Sequence, residues 1–284
     1  MPMLFLIYGG IAYLAFLAAF VYAMGFVGNV AVPRSMDAGG PTTPIAQAIL
    51  INAALLMVFA VQHTIMARPG FKRWWTRYVP QAIERSTFVL FASAALGLLM
   101  WQWRPIGGTL WQVEATWLRW LLVGLSAFGW GLVLYASFLI DHFDLFGLRQ
   151  VWLYFRGRPY THHPFVERSV YKYVRHPLML GFLLAFWATP HMTLGHLLFA
   201  GLVTGYILMG VTFEERDLMR HLGPVYLEYR RRTPMLLPWR RRPAGGPKAE
   251  PTVSEDQAKA ATASFAACAA TDGERTQVAE MGRT

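Results

Sequence analysis

The stretch that decides the fold is PLMLGFLLAFWATPHMTLGHLLFAGLVTGYILMGVTF, residues 177–213. As one helix this apolar run would be about 55 Å long at 1.5 Å per residue, too long for a single crossing of a bilayer. Pro190 lies inside it, in Ala188-Thr189-Pro190-His191. The run therefore reads as a tight helical hairpin that breaks near Thr189–Met192. Residues 177–189 are too few for a full crossing, so the first leg is expected to begin near Val170, with Pro177 as a kink or as the first helical residue. Working outward, four further runs have the length of a membrane helix: residues 3–26, 45–66, 86–103 and 118–140. The expectation is an all-α, polytopic membrane bundle of about six segments that ends in a helical hairpin. The first run is no cleaved signal peptide, for it is long, lacks a basic start and lacks a small-residue cleavage site.

Composition agrees. The 284 residues are 55% hydrophobic, 15% aromatic and 15% charged, where a soluble domain carries about 25% charged residues. That excludes a disordered chain and an ordinary soluble enzyme. One cysteine, Cys268, excludes an intrachain disulfide and a thiolate metal cage. Residues 243–284 carry Lys248, Lys259, Arg275 and Arg283 against six acids, so the net +10 becomes +12 over residues 1–242. With the N-terminus in the cytoplasm and six crossings, 23 of the 26 Lys and Arg residues fall inside, leaving Arg34, Arg104 and Arg119 outside. This is the bias the positive-inside rule describes. Both termini are thus expected in the cytoplasm. The positive charge is read as topology and lipid headgroup contact, with no nucleic-acid partner. Three regions are expected: 1–144 as four transmembrane helices, 145–242 as a catalytic region, and 243–284 as a disordered tail rich in Ala, Gly, Pro and Thr.

Ionisable groups at membrane depth are costly and point to function. Here they gather at one level, the predicted cytoplasmic end: Gln62 and His63; Asp141, His142 and Asp144; Arg175 and His176; Glu214 and Glu215. Each set has a plainer reading. His63 can be an interfacial residue, Asp141 and His142 a wet helix end, Arg175 a snorkelling cation, and the glutamates a solvated helix end. The convergence of four sets at one level weighs toward a shared pocket. No metal is expected: His162 and His163 are adjacent, and no His or carboxylate pair has ligand spacing. No glycine-rich phosphate loop is present.

The order Arg175-His176-Pro177, Gly181, Glu214-Glu215, then Gly223, Tyr226, Tyr229 and Pro234 resembles the isoprenylcysteine carboxyl methyltransferase and phospholipid methyltransferase group over residues 170–238. Met179 departs from that pattern, which has Tyr there. Residues 62–69 (Gln62 to Pro69), 141–150 (Asp141 to Gln150) and 186–190 (Phe186 to Pro190) look like the bacterial methanethiol S-methyltransferases, neighbours of the NnrU-like membrane proteins. That resemblance spans nearly all of 1–240.

The resemblance implies an integral-membrane methyltransferase of the bacterial inner membrane. It would use S-adenosylmethionine, release S-adenosylhomocysteine, and convert a small lipophilic thiol, methanethiol, to dimethyl sulfide. A cytosolic methyl donor requires a pocket open to the cytoplasm. In that pocket Arg175 is expected to grip the donor's carboxylate and His176 to add a second hydrogen bond. Glu214 or Glu215 would hold the ribose or the ammonium, and Tyr171 or Tyr226 would face the sulfonium. Gly181 belongs to the same motif. A thiol is a poor nucleophile until it loses its proton. His142 or His63 is therefore expected to act as base, oriented by Asp141 or Asp144. The competing view is that the sulfonium charge alone stabilises a bound thiolate. Other readings are a lipid or isoprenoid acceptor, or a non-catalytic membrane protein.

Overall fold

A computed structural model describes residues 1–161 and 167–238. The adjacent His162 and His163, Cys268 and the 243–284 tail lie outside the described residues. The described chain folds as α1 (Pro2–Gly28), α2 (Ile45–Ala67), α3 (Pro69–Trp75), α4 (Gln81–Gln102), β1 (Thr109–Gln112), α5 (Thr116–Ile140), α6 (His142–Leu145), α7 (Leu148–Phe155), a 3-10 turn (Ser169–Lys172), α8 (Pro177–Trp187), β2 (His191–Thr193), α9 (Leu194–Leu222) and α10 (Pro224–Arg232). Five of these helices, α1, α2, α4, α5 and α9, are long and apolar enough to cross a bilayer. The protein is an integral membrane protein, and the four N-terminal runs stand where the hydrophobic pattern puts them.

The chain passes between the two ends of the bundle six times, but the fifth passage is short. α8 has 11 residues and rises about 16 Å. The expected helical start near Val170 is corrected: helix begins at Pro177, and Val170 sits in the 3-10 turn. The reason is local. Proline disfavours helical backbone in the residue before it, and His176 takes φ −125° and ψ 63°. The backbone N–H groups of Arg175 and His176 donate instead to the carbonyls of Pro234 (2.9 Å) and Met235 (3.1 Å).

The hairpin does break where Pro190 predicts. There β2 pairs antiparallel with β1, the residues between α4 and α5, a contact hydropathy does not show. Thr193 then caps α9, accepting from the His196 N–H at 3.0 Å. This sheet end of the bundle is closed by buried Trp103, whose indole donates to the Met36 carbonyl at 3.0 Å. Buried Asn52 of α2 bonds both backbone groups of Arg104, at 2.8 and 2.9 Å. The Trp103 indole and the Asn52 amide thus find partners, as a water-poor interior requires. The starts of α1, α4 and α8 and the ends of α2, α5 and α9 form the opposite end, where the ionisable residues gather.

α5 and α8 pack backbone to backbone. A Cβ on Gly181 would stand 2.7 Å from the Gly129 carbonyl oxygen, and one on Gly129 would stand 2.6 Å from the Gly181 oxygen. Gly181 is thus a packing residue of the helix crossing. The two helices run antiparallel, so one turn beyond Gly181 the start of α8 comes level with about Ser137 of α5.

Candidate active site

Arg175, His176, Glu214 and Glu215 meet at one corner, between the start of α8, the end of α9, and α10. Glu215 Oε1 accepts from Arg175 Nε at 2.7 Å and from Nη2 at 2.6 Å. His176 Nε2 lies 3.1 Å from the same oxygen, and Arg230 Nε lies 3.2 Å from Oε2. Nη1 of Arg175 donates to the carbonyls of Arg230 and Thr233. A buried carboxylate is tolerable only with such full compensation. The Arg175 guanidinium, expected to grip a donor carboxylate, here bonds protein acceptors. Glu215 is likewise consumed, its side chain only 6% exposed, whereas the Glu214 side chain is 53% exposed, with Oε2 3.6 Å from His176 Nδ1. Helical geometry turns adjacent residues about 100° apart, so one glutamate faces in and the next faces out. Half-exposed Arg230, missed in the sequence, supplies the matching positive charge.

The tyrosines of this corner are structural. The Tyr229 hydroxyl donates to the Tyr171 carbonyl at 2.6 Å. Burial, then the charge of Glu214, pushes the Tyr171 phenol up. Burial, then Glu215, pushes the Tyr226 phenol up to about 12. Tyr226 is buried inside the corner.

His142 opens α6, the single turn after α5, and is 4% exposed. Phe138 stacks on its ring with centroids 4.2 Å apart, and Phe146 lies at 4.8 Å. Its Nδ1 lies 2.8 Å from Ser137 Oγ and its Nε2 3.0 Å from the Tyr13 hydroxyl. The ring nitrogens thus meet a serine and a tyrosine. Asp144 takes Arg149 at 3.0 Å and the Tyr160 hydroxyl at 3.0 Å. Asp141 caps α6, accepting from the Asp144 N–H at 3.0 Å, and does so at φ 114°, where a side chain costs about 1–3 kcal/mol of strain. Burial pulls the His142 imidazole below the usual histidine range, and the charge of Asp141 partly opposes this. Gly147, at φ 87°, lets the next turn press against Ser86 of α4, where a Cβ would stand 2.7 Å from the Ser86 nitrogen.

His63 is not beside His142. It stacks on Phe59 and packs against Phe88, with centroids 5.4 and 4.9 Å away. Phe88 belongs to an apolar cluster that also takes in Phe16 and Phe146. The Nδ1 of His63 is buried with no hydrogen-bond partner among the described residues. On the other side of α6 a cavity of about 720 Å³ is lined by Lys72, Glu84, Arg85, Asp141, Asp144 and Tyr160 among others, a size that suits a small-molecule ligand. Burial, then Asp144, pushes the Tyr160 phenol up to about 12.

Residues 50–237 match the family described as NnrU protein. The chain belongs to the NnrU family. Within it, the chain is similar to a methanethiol S-methyltransferase of Mycobacterium tuberculosis, 58% identical over 234 residues, which cover 82% of this chain and 96% of that protein. It is also similar to methanethiol S-methyltransferase 2 of Bradyrhizobium diazoefficiens, 54% identical over 233 residues, 82% of this chain and 89% of that protein. Nurim of Sus scrofa is 30% identical over 187 residues, 61% of this chain and 70% of that protein. No solved structure matches. The NnrU match takes in His63, His142 and the whole Arg175–Glu215 corner, but it begins after α1. Tyr13 therefore lies outside it. In the sequence Tyr13 is one aromatic residue in an apolar helix, and Ser137 one hydroxyl in another. Arg230 had a weak signal, following directly on the Gly223–Tyr229 motif.

Proposed function

We propose that this chain is an integral-membrane methyltransferase. It transfers the methyl group of S-adenosylmethionine to a small lipophilic thiol, methanethiol, giving dimethyl sulfide and S-adenosylhomocysteine. One observation carries the reading. A buried imidazole, His142, and a half-exposed carboxylate and guanidinium, Glu214 and Arg230, share one end of an apolar bundle, in a chain whose relatives bear the methanethiol S-methyltransferase name.

The donor set fits the methyl donor's chemistry. The donor supplies an electrophilic methyl carbon on a sulfonium centre, beside an amino-acid end and a ribose. Glu214 takes the ammonium or the ribose hydroxyls, and Arg230 takes the carboxylate. Arg175, His176 and Glu215 hold these two in place. His142, kept neutral by burial, accepts the thiol's proton. His63 is the alternative base, since its Nδ1 has an open acceptor position. In this reading residues 1–144 carry the base and residues 145–242 carry the donor corner. Both ends of the chain lie in the cytoplasm of a bacterial inner membrane, so a cytosolic donor reaches the site directly.

The test is product formation. Membranes containing the chain, given methanethiol and S-adenosylmethionine, should release dimethyl sulfide, read by gas chromatography. No product above the His142→Ala level, or labelled methyl appearing in extracted lipid instead, refutes the reading.

A further inference from the structure

The hydrogen-bond partners around His142 bear on its tautomer. Ser137 Oγ lies 2.7 Å from the Leu134 carbonyl oxygen and 2.8 Å from His142 Nδ1. With its single proton on that carbonyl, the hydroxyl accepts from the ring, and Nδ1 carries the ring proton. Nε2 then presents a lone pair, which accepts from the Tyr13 hydroxyl 3.0 Å away. In that arrangement the Tyr13 phenol covers the basic nitrogen of His142.

The position of this pair suits a solute dissolved in lipid. α1 packs on α4 and α7, while α5 packs on α8. α1 and the α5–α6 end meet through aromatic side chains: Phe20 with Trp130, at 5.4 Å, and Tyr13 with Phe143, at 6.3 Å. On this seam Phe138 and Phe143 are 57% and 50% exposed, on the surface that lipid covers.

We propose that Tyr13 is a catalytic residue of the methyl transfer, passing the acceptor thiol's proton to His142 Nε2, with Ser137 as the positioning residue that fixes the imidazole's tautomer. This rests on the reading of the chain as a thiol methyltransferase. As the acceptor sulfur attacks the methyl carbon, a new S–C bond forms. The bond from that carbon to the sulfonium sulfur breaks, and its electron pair stays on that sulfur. The acceptor's S–H proton moves to Tyr13 Oη while the phenol's own proton moves to His142 Nε2. The products are two neutral thioethers and an imidazolium, which returns its proton to water. The titratable groups facing this relay are few. Asp141 stands beside His142 on the same turn, Asp144 is paired with Arg149 of α7, and Arg85 of α4 donates to the Leu145 carbonyl at 2.8 Å.

The experiment compares methanethiol with methaneselenol, an acceptor that is deprotonated at lower pH and needs no relay. Tyr13→Phe should lose about 100-fold in rate with the thiol near neutral pH. It should recover as pH rises toward the range of a free thiol, ~8.5 and above. It should keep the wild-type rate with the selenol and wild-type S-adenosylhomocysteine binding by calorimetry. An unchanged thiol rate, or equal losses with both acceptors in a variant that still binds S-adenosylhomocysteine, overturns the proposal. Should Tyr13→Phe fail to bind, Ser137→Ala decides: the same thiol–selenol split supports the relay, and a wild-type thiol rate and pH profile refutes it. Wild type turning over neither acceptor refutes the methyltransferase reading itself, and the relay with it.

Discussion

Arg175 and Glu215 are bound to each other through two guanidinium nitrogens, at 2.7 and 2.6 Å, across 40 residues of sequence. The pair ties the start of α8 to the last turns of α9, and its second carboxylate oxygen reaches Arg230 of α10 at 3.2 Å. Removing one partner strands a buried charge. Arg175→Ala should therefore destabilise the folded protein by about 3–5 kcal/mol, seen as a lower unfolding temperature in detergent. A variant as stable as wild type would show that the pair is dispensable.

Glu214 should behave in the opposite way. Its side chain is 53% exposed, so Glu214→Ala should change stability by no more than about 0.5 kcal/mol. Affinity for S-adenosylhomocysteine should fall by about 1.5–3 kcal/mol, the worth of a hydrogen bond to a charged group. Calorimetry on the two variants separates the clamp from the ligand contact.

Gly181→Ala tests the helix crossing. Its new methyl would meet the Gly129 carbonyl oxygen at 2.7 Å and the Val133 nitrogen at 2.9 Å. Backbone cannot swing aside as a flexible side chain can, so the change should cost about 1–3 kcal/mol. Its thermal melt should fall, whereas Gly124→Ala, with nothing within 4 Å of the new atom, should melt like wild type.

The pH profile should move with Asp141. Burial lowers the His142 pKa and the Asp141 charge raises it. The neutral base is lost as pH falls through that lowered value, so the acid limb of kcat should lie below the ordinary histidine value of ~6.5. The same sign holds for stability: the contribution of neutral His142 is complete above the unfolded pKa and fades as pH drops through the folded one. Asp141→Asn keeps an oxygen for the α6 cap and removes the charge. Its acid limb should shift to lower pH; a shift upward would contradict the assignment.

Side-selective labelling checks the orientation. In a Cys268→Ser background, Tyr78→Cys and Tyr173→Cys, both exposed at the ionisable end, should react from the cytoplasmic side. Val30→Cys, exposed at the sheet end, should react from the other. Labelling of Tyr78→Cys and Tyr173→Cys from opposite sides would exclude a shared pocket.

Much of the bundle was legible because its signal is simple. Apolar runs at 3–26, 45–66, 86–103 and 118–140 became α1, α2, α4 and α5, since a lipid-facing helix has to be apolar over its whole length. Pro190 marked the hairpin break. The gathering of Arg175, His176, Glu214 and Glu215 at one corner also followed from their level in the bilayer. Their division of labour did not. Which of two adjacent glutamates faces inward depends on the helix's rotation, and a span that is apolar on every side carries no such information. Nor could spacing show that Tyr13, 129 residues from His142, would take the place reserved for Asp141. The strain at Asp141 and the β1–β2 pairing are tertiary outcomes, fixed by neighbours remote in sequence.

The brevity of α8 reaches beyond the protein. A helix of 11 residues fills roughly half of a ~30 Å hydrocarbon layer, while the apolar part of its neighbour α9, residues 194–213, is long enough to span it. Two adjacent elements with such unequal hydrophobic lengths cannot both match a flat bilayer. A bilayer can accommodate a short element by local thinning, at a fraction of a kcal/mol per Å of mismatch. On that principle a solute in the hydrocarbon beside α8 has a shorter path to the aqueous phase than one beside α9.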